Sequence, residues 1–293
     1  MSAPERDRRC SIGVFDSGVG GLWVLREITQ RLPHQDAVYL ADEAHVPYGA
    51  RSLAEIRAFA RAITAFLIRQ GACVVVVACN TASAAALHDL RGRFEVPIVG
   101  MEPAVKPAAE RTRSRHVGVI ATQATFQGEL FARLLERFAR DTTVHTQVCP
   151  GLVERVEAGR LDDAETEALL RTCLEPLIEA GVDSLVLGCT HYPYLIPAIT
   201  RVLGPGIEVI DPAPAVARQV ERVLDSTGRR ALEGQGQVTY YSTGSAQEFE
   251  GKVRRLVTIP GRVLPARWKG RGLASLPAEP AALGRDEASR QEG

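Results

Sequence analysis

The sequence predicts an α/β protein of two similar parallel-sheet domains related by pseudo-twofold symmetry, with an active site in the cleft between them. Three observations carry this. Near-continuous apolar runs, residues 73–78 and 184–188 among them, alternate with amphipathic stretches, the pattern of strands covered on both faces. The pattern is written twice in the same order, at a separation of about 110 residues. Asp16, Cys79, Thr122 and Cys189 each fall where such a run ends, and parallel sheets bind ligands beyond the carboxyl ends of their strands.

Taken in order, residues 11–16 read as the first strand and resemble residues 116–121. The stretch 53–70 places Ile56, Phe59, Ala60, Ile63, Phe66 and Leu67 on one helical face, and its counterpart from Ala164 places Leu169, Leu170, Cys173, Leu174, Leu177 and Ile178 likewise. Gly71 and Gly181 then read as helix C-caps. Residues 96–99 resemble 208–211, and each is followed by Pro-Ala-Val. The halves divide near 102–106 and 212–214. A helix over 216–224 and a strand over 238–243 are then expected to return to the first half. The expected organisation is a discontinuous first domain, 11–104 with 213–260, and a second domain, 105–212. The Ala-, Pro- and Gly-rich stretch 265–293 is expected to be a disordered tail.

Thirty-five basic residues balance thirty-five acidic ones, so the overall basic excess of a nucleic-acid or anionic-membrane binder is lacking. Residues 1–9 are charged without an apolar stretch, and no run approaches the roughly 20 apolar residues of a membrane span. A soluble, cytoplasmic protein is the expectation. Six cysteines without a C-x-x-C pair suggest neither a zinc ribbon nor a disulfide scaffold, and all six are expected as reduced thiols.

Cys79 and Cys189 occupy the same place in the two halves. Free cysteine is commonly a small buried hydrophobe. Here, however, each ends a strand and precedes an expected helix N-terminus, where backbone N–H groups favour a thiolate. Cys10, Cys73, Cys149 and Cys173 take the structural reading. A cysteine phosphatase would need an arginine six residues on, where Ala85 and Leu195 stand. A Cys-His protease has no use for a duplicated nucleophile. Asp16-Ser17-Gly18-Val19-Gly20-Gly21 matches neither the dinucleotide nor the Walker spacing. It reads as a strand-to-helix turn whose acid can hold an ammonium group or polarise a thiol. His191 can tune Cys189 or shuttle its proton. Asn80, Thr81 and Thr190 can cap helices or bind a carboxylate. Pro47-Tyr48-Gly49 reads as a turn with Tyr48 as packing or pocket wall, and Glu157 lies on the second half's equivalent loop.

The segments 16–21, 47–49, Ala78-Cys79-Asn80-Thr81-Ala82, Ala121-Thr122 with Thr125, and Gly188-Cys189-Thr190-His191-Tyr192-Pro193 occur in the order found in the glutamate racemases of the aspartate/glutamate racemase superfamily. The resemblance runs from about residue 12 to about 259. It implies cofactor-independent interconversion of L- and D-glutamate for peptidoglycan, with no metal, in a homodimer. It further implies that Cys79 acts on the D isomer and Cys189 on the L isomer, with Asp16 beside the first thiol and His191 and Glu157 beside the second. Ser17, Asn80, Thr81, Thr122, Thr125 and Thr190, with Pro47, Tyr48 and Gly49, would bind substrate together with Asp16 and His191. The sequence departs from the family at Glu43 and His45, where threonine and arginine are common, and at Gly128, a frequent serine. Glu154 competes with Glu157 for the acid's place. A single-thiol lyase or decarboxylase of the same superfamily, and an amino-acid-binding module without catalysis, are the alternative readings.

Two thiols suit such a reaction. The Cα proton of an amino acid is very weakly acidic, so donors on the α-carboxylate must stabilise the enolate-like form in a water-poor site. Inversion requires base and acid on opposite faces of a planar carbanion, starting in opposite protonation states.

Overall fold

Strands β1 (Ser11–Asp16), β2 (Ala37–Ala41), β3 (Ala72–Val77) and β4 (Ile98–Gly100) pair in parallel in the order β2-β1-β3-β4. Strands β5 (His116–Ala121), β6 (Thr143–Val148), β7 (Ser184–Gly188) and β8 (Glu208–Ile210) repeat that order in a second parallel sheet, β6-β5-β7-β8. The computed structural model describes residues 10–276. After the second sheet the chain returns to the first, where β9 (Val238–Ser242) joins β2, β10 (Gly261–Lys269) joins β9, and β11 (Gly272–Ser275) closes the edge antiparallel to β10.

The apolar runs follow from burial on both faces. In β3, Val74 and Val76 enter the core beneath the helices Gly21–Arg31 and Ala213–Ser226, while Val75 and Val77 enter the opposite core beneath Leu53–Arg69 and Asn80–Arg93. The first of these cores continues into the second half through Leu152, Val156, Leu174 and Leu187, so one apolar mass joins the two sheets. Ser52 and Glu55 form a reciprocal capping box at the start of Leu53–Arg69, and Gly71 and Gly181 adopt the left-handed φ that terminates the two equivalent helices.

Three expectations need correction. Residues from 265 onward do not begin a disordered tail, because β10 and β11 occupy them as far as Ser275. An edge pair is half exposed, so its sequence lacks the continuous apolar run of the inner strands. Residues 277–293 of that expected tail lie outside the described residues. Four cysteines are not reduced: Cys10 is joined to Cys73 and Cys149 to Cys173. Sheet order brings Cys10 and Cys73 together across 63 residues, since β1 and β3 are neighbours, and local spacing gives no sign of it. Lastly, Ile178, expected on the buried face of its helix, is exposed.

Candidate active site

The strand order reverses between β1 and β3 in the first sheet and between β5 and β7 in the second, and the crevice outside such a switch point is where open α/β sheets bind ligands. Asp16 ends β1, Cys79 follows β3, Thr122 follows β5 and Cys189 follows β7, so both crevices carry a thiol. The crevices face one another. Ser17, Pro47, Tyr48, Gly49, Cys79, Asn80, Thr81, Thr122, Cys189, Thr190 and His191, with Val153, enclose one cavity. The space in it open to the centre of a water-sized sphere is about 20 Å³, room for roughly one water.

Three of the expected residues stand behind this wall. Thr125 supports it by its hydroxyl, 3.2 Å from that of Thr81 and 3.0 Å from that of Thr122; the hydroxyls of Thr81 and Thr122 meet across the halves at 2.8 Å. Asp16 is wholly buried and accepts hydrogen bonds from Thr190 Oγ1 at 2.9 Å and from the Gly18 N–H at 3.1 Å. Glu157 places Oε1 2.8 Å from His191 Nε2 and accepts from the Val19 N–H at 2.9 Å. Glu154, its competitor, lines an adjoining pocket with Pro47, Gly49, Thr122 and Cys149.

The glycine-rich turn after β1 is explained by this approach of the second half. A Cβ on Gly18 would lie 2.0 Å from Glu157 Oε1, and one on Gly20 would lie 2.4 Å from Thr190 Oγ1 and 2.6 Å from His191 Nδ1. The turn is bare so that side chains of the other half can seat against backbone.

The two thiols differ in their partners. Cys79 caps the helix Asn80–Arg93, its Sγ accepting from the Ala82 N–H at 3.4 Å. Burial, and then the carboxyl of Asp16, push its pKa well up, which favours the neutral thiol. Cys189 is followed by a short 3₁₀ turn, Tyr192–Leu195, before the next helix, and its sulfur lies 3.7 Å from His191 Nδ1. Burial opposes a charge on His191, but its bonds to Cys189 and Glu157 outweigh burial and hold its pKa well above the ordinary imidazole value. An imidazolium at that distance is an electrostatic partner for a thiolate. Glu157 shows the same balance: burial raises it, while His191, Lys252 and the Val19 N–H bring it down to about 2. Asp16 moves the other way, raised by burial against the pull of His191.

Tyr48 is a buried wall residue whose hydroxyl donates to Asp42 Oδ2 at 2.6 Å. Asp42 also accepts from Thr243 Oγ1 and from the indole N–H of Trp268, both at 2.8 Å, and lies 2.9 Å from His45 Nδ1. Sequence reasoning missed this buried carboxylate. It also missed Lys252, whose Nζ lies 2.6 Å from Glu43 Oε1 and 3.0 Å from Glu157 Oε2. The available signal for Lys252 was its type, one of three lysines in an arginine-rich chain.

The model of the Asp/Glu/Hydantoin racemase family matches residues 21–220. A glutamate racemase of Roseiflexus sp. is 51% identical over 248 residues, covering 84% of this chain and 91% of that protein. Among solved structures, a glutamate racemase isoform of Bacillus anthracis superposes with a TM-score of 0.82 at 32% identity, covering 90% of this chain and 99% of that one. The glutamate racemase of Thermus thermophilus, in complex with beta-chloro-D-alanine, gives 0.77 at 40% identity, with 89% and 98% covered.

Proposed function

This chain belongs to the glutamate racemases of the Asp/Glu/hydantoin racemase family, and on that premise we propose that Cys79 and Cys189 are the two acid–base groups that interconvert L- and D-glutamate. The observation that carries this reading is one buried cavity with an unpaired thiol from the equivalent strand end of each half. A binding module has no need of that pair, and a single-thiol lyase would use only one of them.

In the direction from L to D, Cys189, paired with the His191 imidazolium, takes the Cα proton, and the neutral thiol of Cys79 protonates the opposite face. Transfer back runs through the same two sulfurs with their roles exchanged. The hydroxyls of Ser17, Thr81, Thr122 and Thr190, the Asn80 amide and the backbone at Pro47–Gly49 provide the polar contacts for the substrate's carboxylates and ammonium group. Thr125 braces two of those hydroxyls, and Asp16 faces Cys79. Both polar atoms of the Asn80 side chain are buried without a partner among the described residues, which suits a group kept for substrate. Glutamate is far larger than one water, so the halves part to admit it and close to exclude solvent. The resemblance also supports a cytoplasmic homodimer. Among the described residues, no helix is long and apolar enough to cross a membrane.

Incubating L-glutamate with the protein in heavy water tests the reading. Loss of optical rotation together with deuterium at Cα is the expected result. Cys79→Ala and Cys189→Ala should each lower racemisation by at least about 10²-fold. Full activity in either variant would sink the two-thiol mechanism.

A further inference from the structure

The acid behind Cys189 is held by more than its histidine. Glu157 Oε1 meets His191 and the Val19 N–H, whereas Oε2 has one partner among the described residues, the ammonium of Lys252. Lys252 comes from the helix Ala246–Leu256, which lies between β9 and β10 of the first sheet, and Glu157 ends the helix Leu152–Glu157 of the second half. The contact therefore crosses the cleft. Glu43, just beyond β2, takes the other side of the ammonium. Both carboxylates are largely out of water, with side-chain exposures of 8% for Glu43 and 13% for Glu157.

We propose that Lys252 is a positioning residue for the Cys189 side of the site: anchored on Glu43, it keeps Glu157 ionised and turned toward His191. The proposal rests on the reading that His191 and Glu157 serve Cys189, and extends it to a residue that touches neither thiol.

The charges require such a group. Asp16, Glu43, Glu157 and a Cys189 thiolate make up to four anions in one poorly solvated region, and His191 is a single cation already turned to two of them. An unpaired buried carboxylate avoids its desolvation penalty by taking a proton. A protonated Glu157 would no longer hold the imidazolium, and the thiolate would lose its partner in turn. Lys252 supplies the second cation at the far oxygen of Glu157, where it neutralises without competing for His191. Glu157 has little room to substitute another contact, because Oε1 is seated against the bare backbone of Gly18. Among the described residues, nothing equivalent is bonded behind Cys79. The partners of Asp16 are Thr190, the Gly18 N–H and, at 3.4 Å, Ser17, none of them a cation.

The test is Lys252→Met, assayed with L- and D-[2-²H]glutamate against the unlabelled substrates. Slowing the Cys189 steps alone makes them more rate-limiting. The isotope effect on kcat/KM then grows for the isomer from which Cys189 takes the proton and shrinks for the other. A residue that only stabilises the fold would leave the ratio of the two effects as it is. The expected result is a drop in kcat of about tenfold or more, with that ratio shifted in the same sense as in Glu157→Gln. Lys252→Arg should restore both. Because Lys252→Met leaves two carboxylates facing each other, the double variant Glu43→Gln/Lys252→Met guards against misfolding and should show the same shift. If Glu157→Gln shifts the ratio and neither Lys252 variant does, the role of Lys252 is overturned while the reading of Glu157 stands. If Glu157→Gln leaves the ratio unmoved, that reading fails and the Lys252 proposal falls with it.

Discussion

Glu157 shows how one side chain depends on contacts from several segments. Its carboxyl faces His191, Lys252 and the Val19 N–H, with Asp16 and Glu43 as the nearby acids. Its folded pKa is depressed to about 2 from 4.5, so its stabilising contribution is complete above pH 4.5 and is lost as pH falls toward 2. Asp16 and Glu43 have raised values and act in the opposite sense, favouring the folded state less as pH rises. Denaturant titrations of the wild type and Glu157→Gln should show a stability difference that narrows across this acid window. A difference that stays constant through it would mean that Glu157 is not held as an ion. In the sequence Glu157 was the named acid and Glu154 its competitor, because one helical turn separates them and the contacts that distinguish them come from the opposite half.

Among elements, the turn between β1 and the helix Gly21–Arg31 has the most exacting fit. Its glycines invite a phosphate-loop reading, and the sequence argues against that through spacing alone. What Gly20 of the turn accommodates, the side chains of Thr190 and His191, arrives from 170 positions and more away. Gly20→Ala should force those two side chains back, lowering unfolding free energy by about 1–3 kcal/mol and depressing kcat. Wild-type stability and turnover in that variant would show that the turn has slack. The elements themselves were legible where burial on both faces produced a plain signal: β1, β3 and β7 and the two long amphipathic helices are readable from residue type. β10 and β11 were not legible. Their partners lie on one face and one edge, and Pro265 with its flanking charges masks the pairing.

At the scale of the whole molecule, the repeated strand order explains why the paired thiols were visible as a pair before any geometry was known. Two copies of one β2-β1-β3-β4 arrangement put corresponding positions at corresponding crevices. The links between the copies were hidden, because an ion pair across the cleft, Lys252 with Glu157, depends on docking rather than on local pattern. The last strands also reach the site. Trp268 of β10 donates to Asp42, which holds the hydroxyl of Tyr48 in the cavity wall. Trp268→Phe should leave a buried carboxylate short of a donor, costing about 1–3 kcal/mol in unfolding free energy and raising KM for glutamate. An unchanged KM would separate the edge strands from substrate binding.

The unequal company of the two sulfurs has a thermodynamic consequence. Free L- and D-glutamate are mirror images with the same energy in water, so their equilibrium constant is one. The ratio of kcat/KM in the two directions is therefore one for the wild type and for every active variant. His191 and Glu157 on one side, and Asp16 on the other, cannot make the enzyme favour an enantiomer. They can only decide how each direction divides the same quotient between holding its substrate and turning it over.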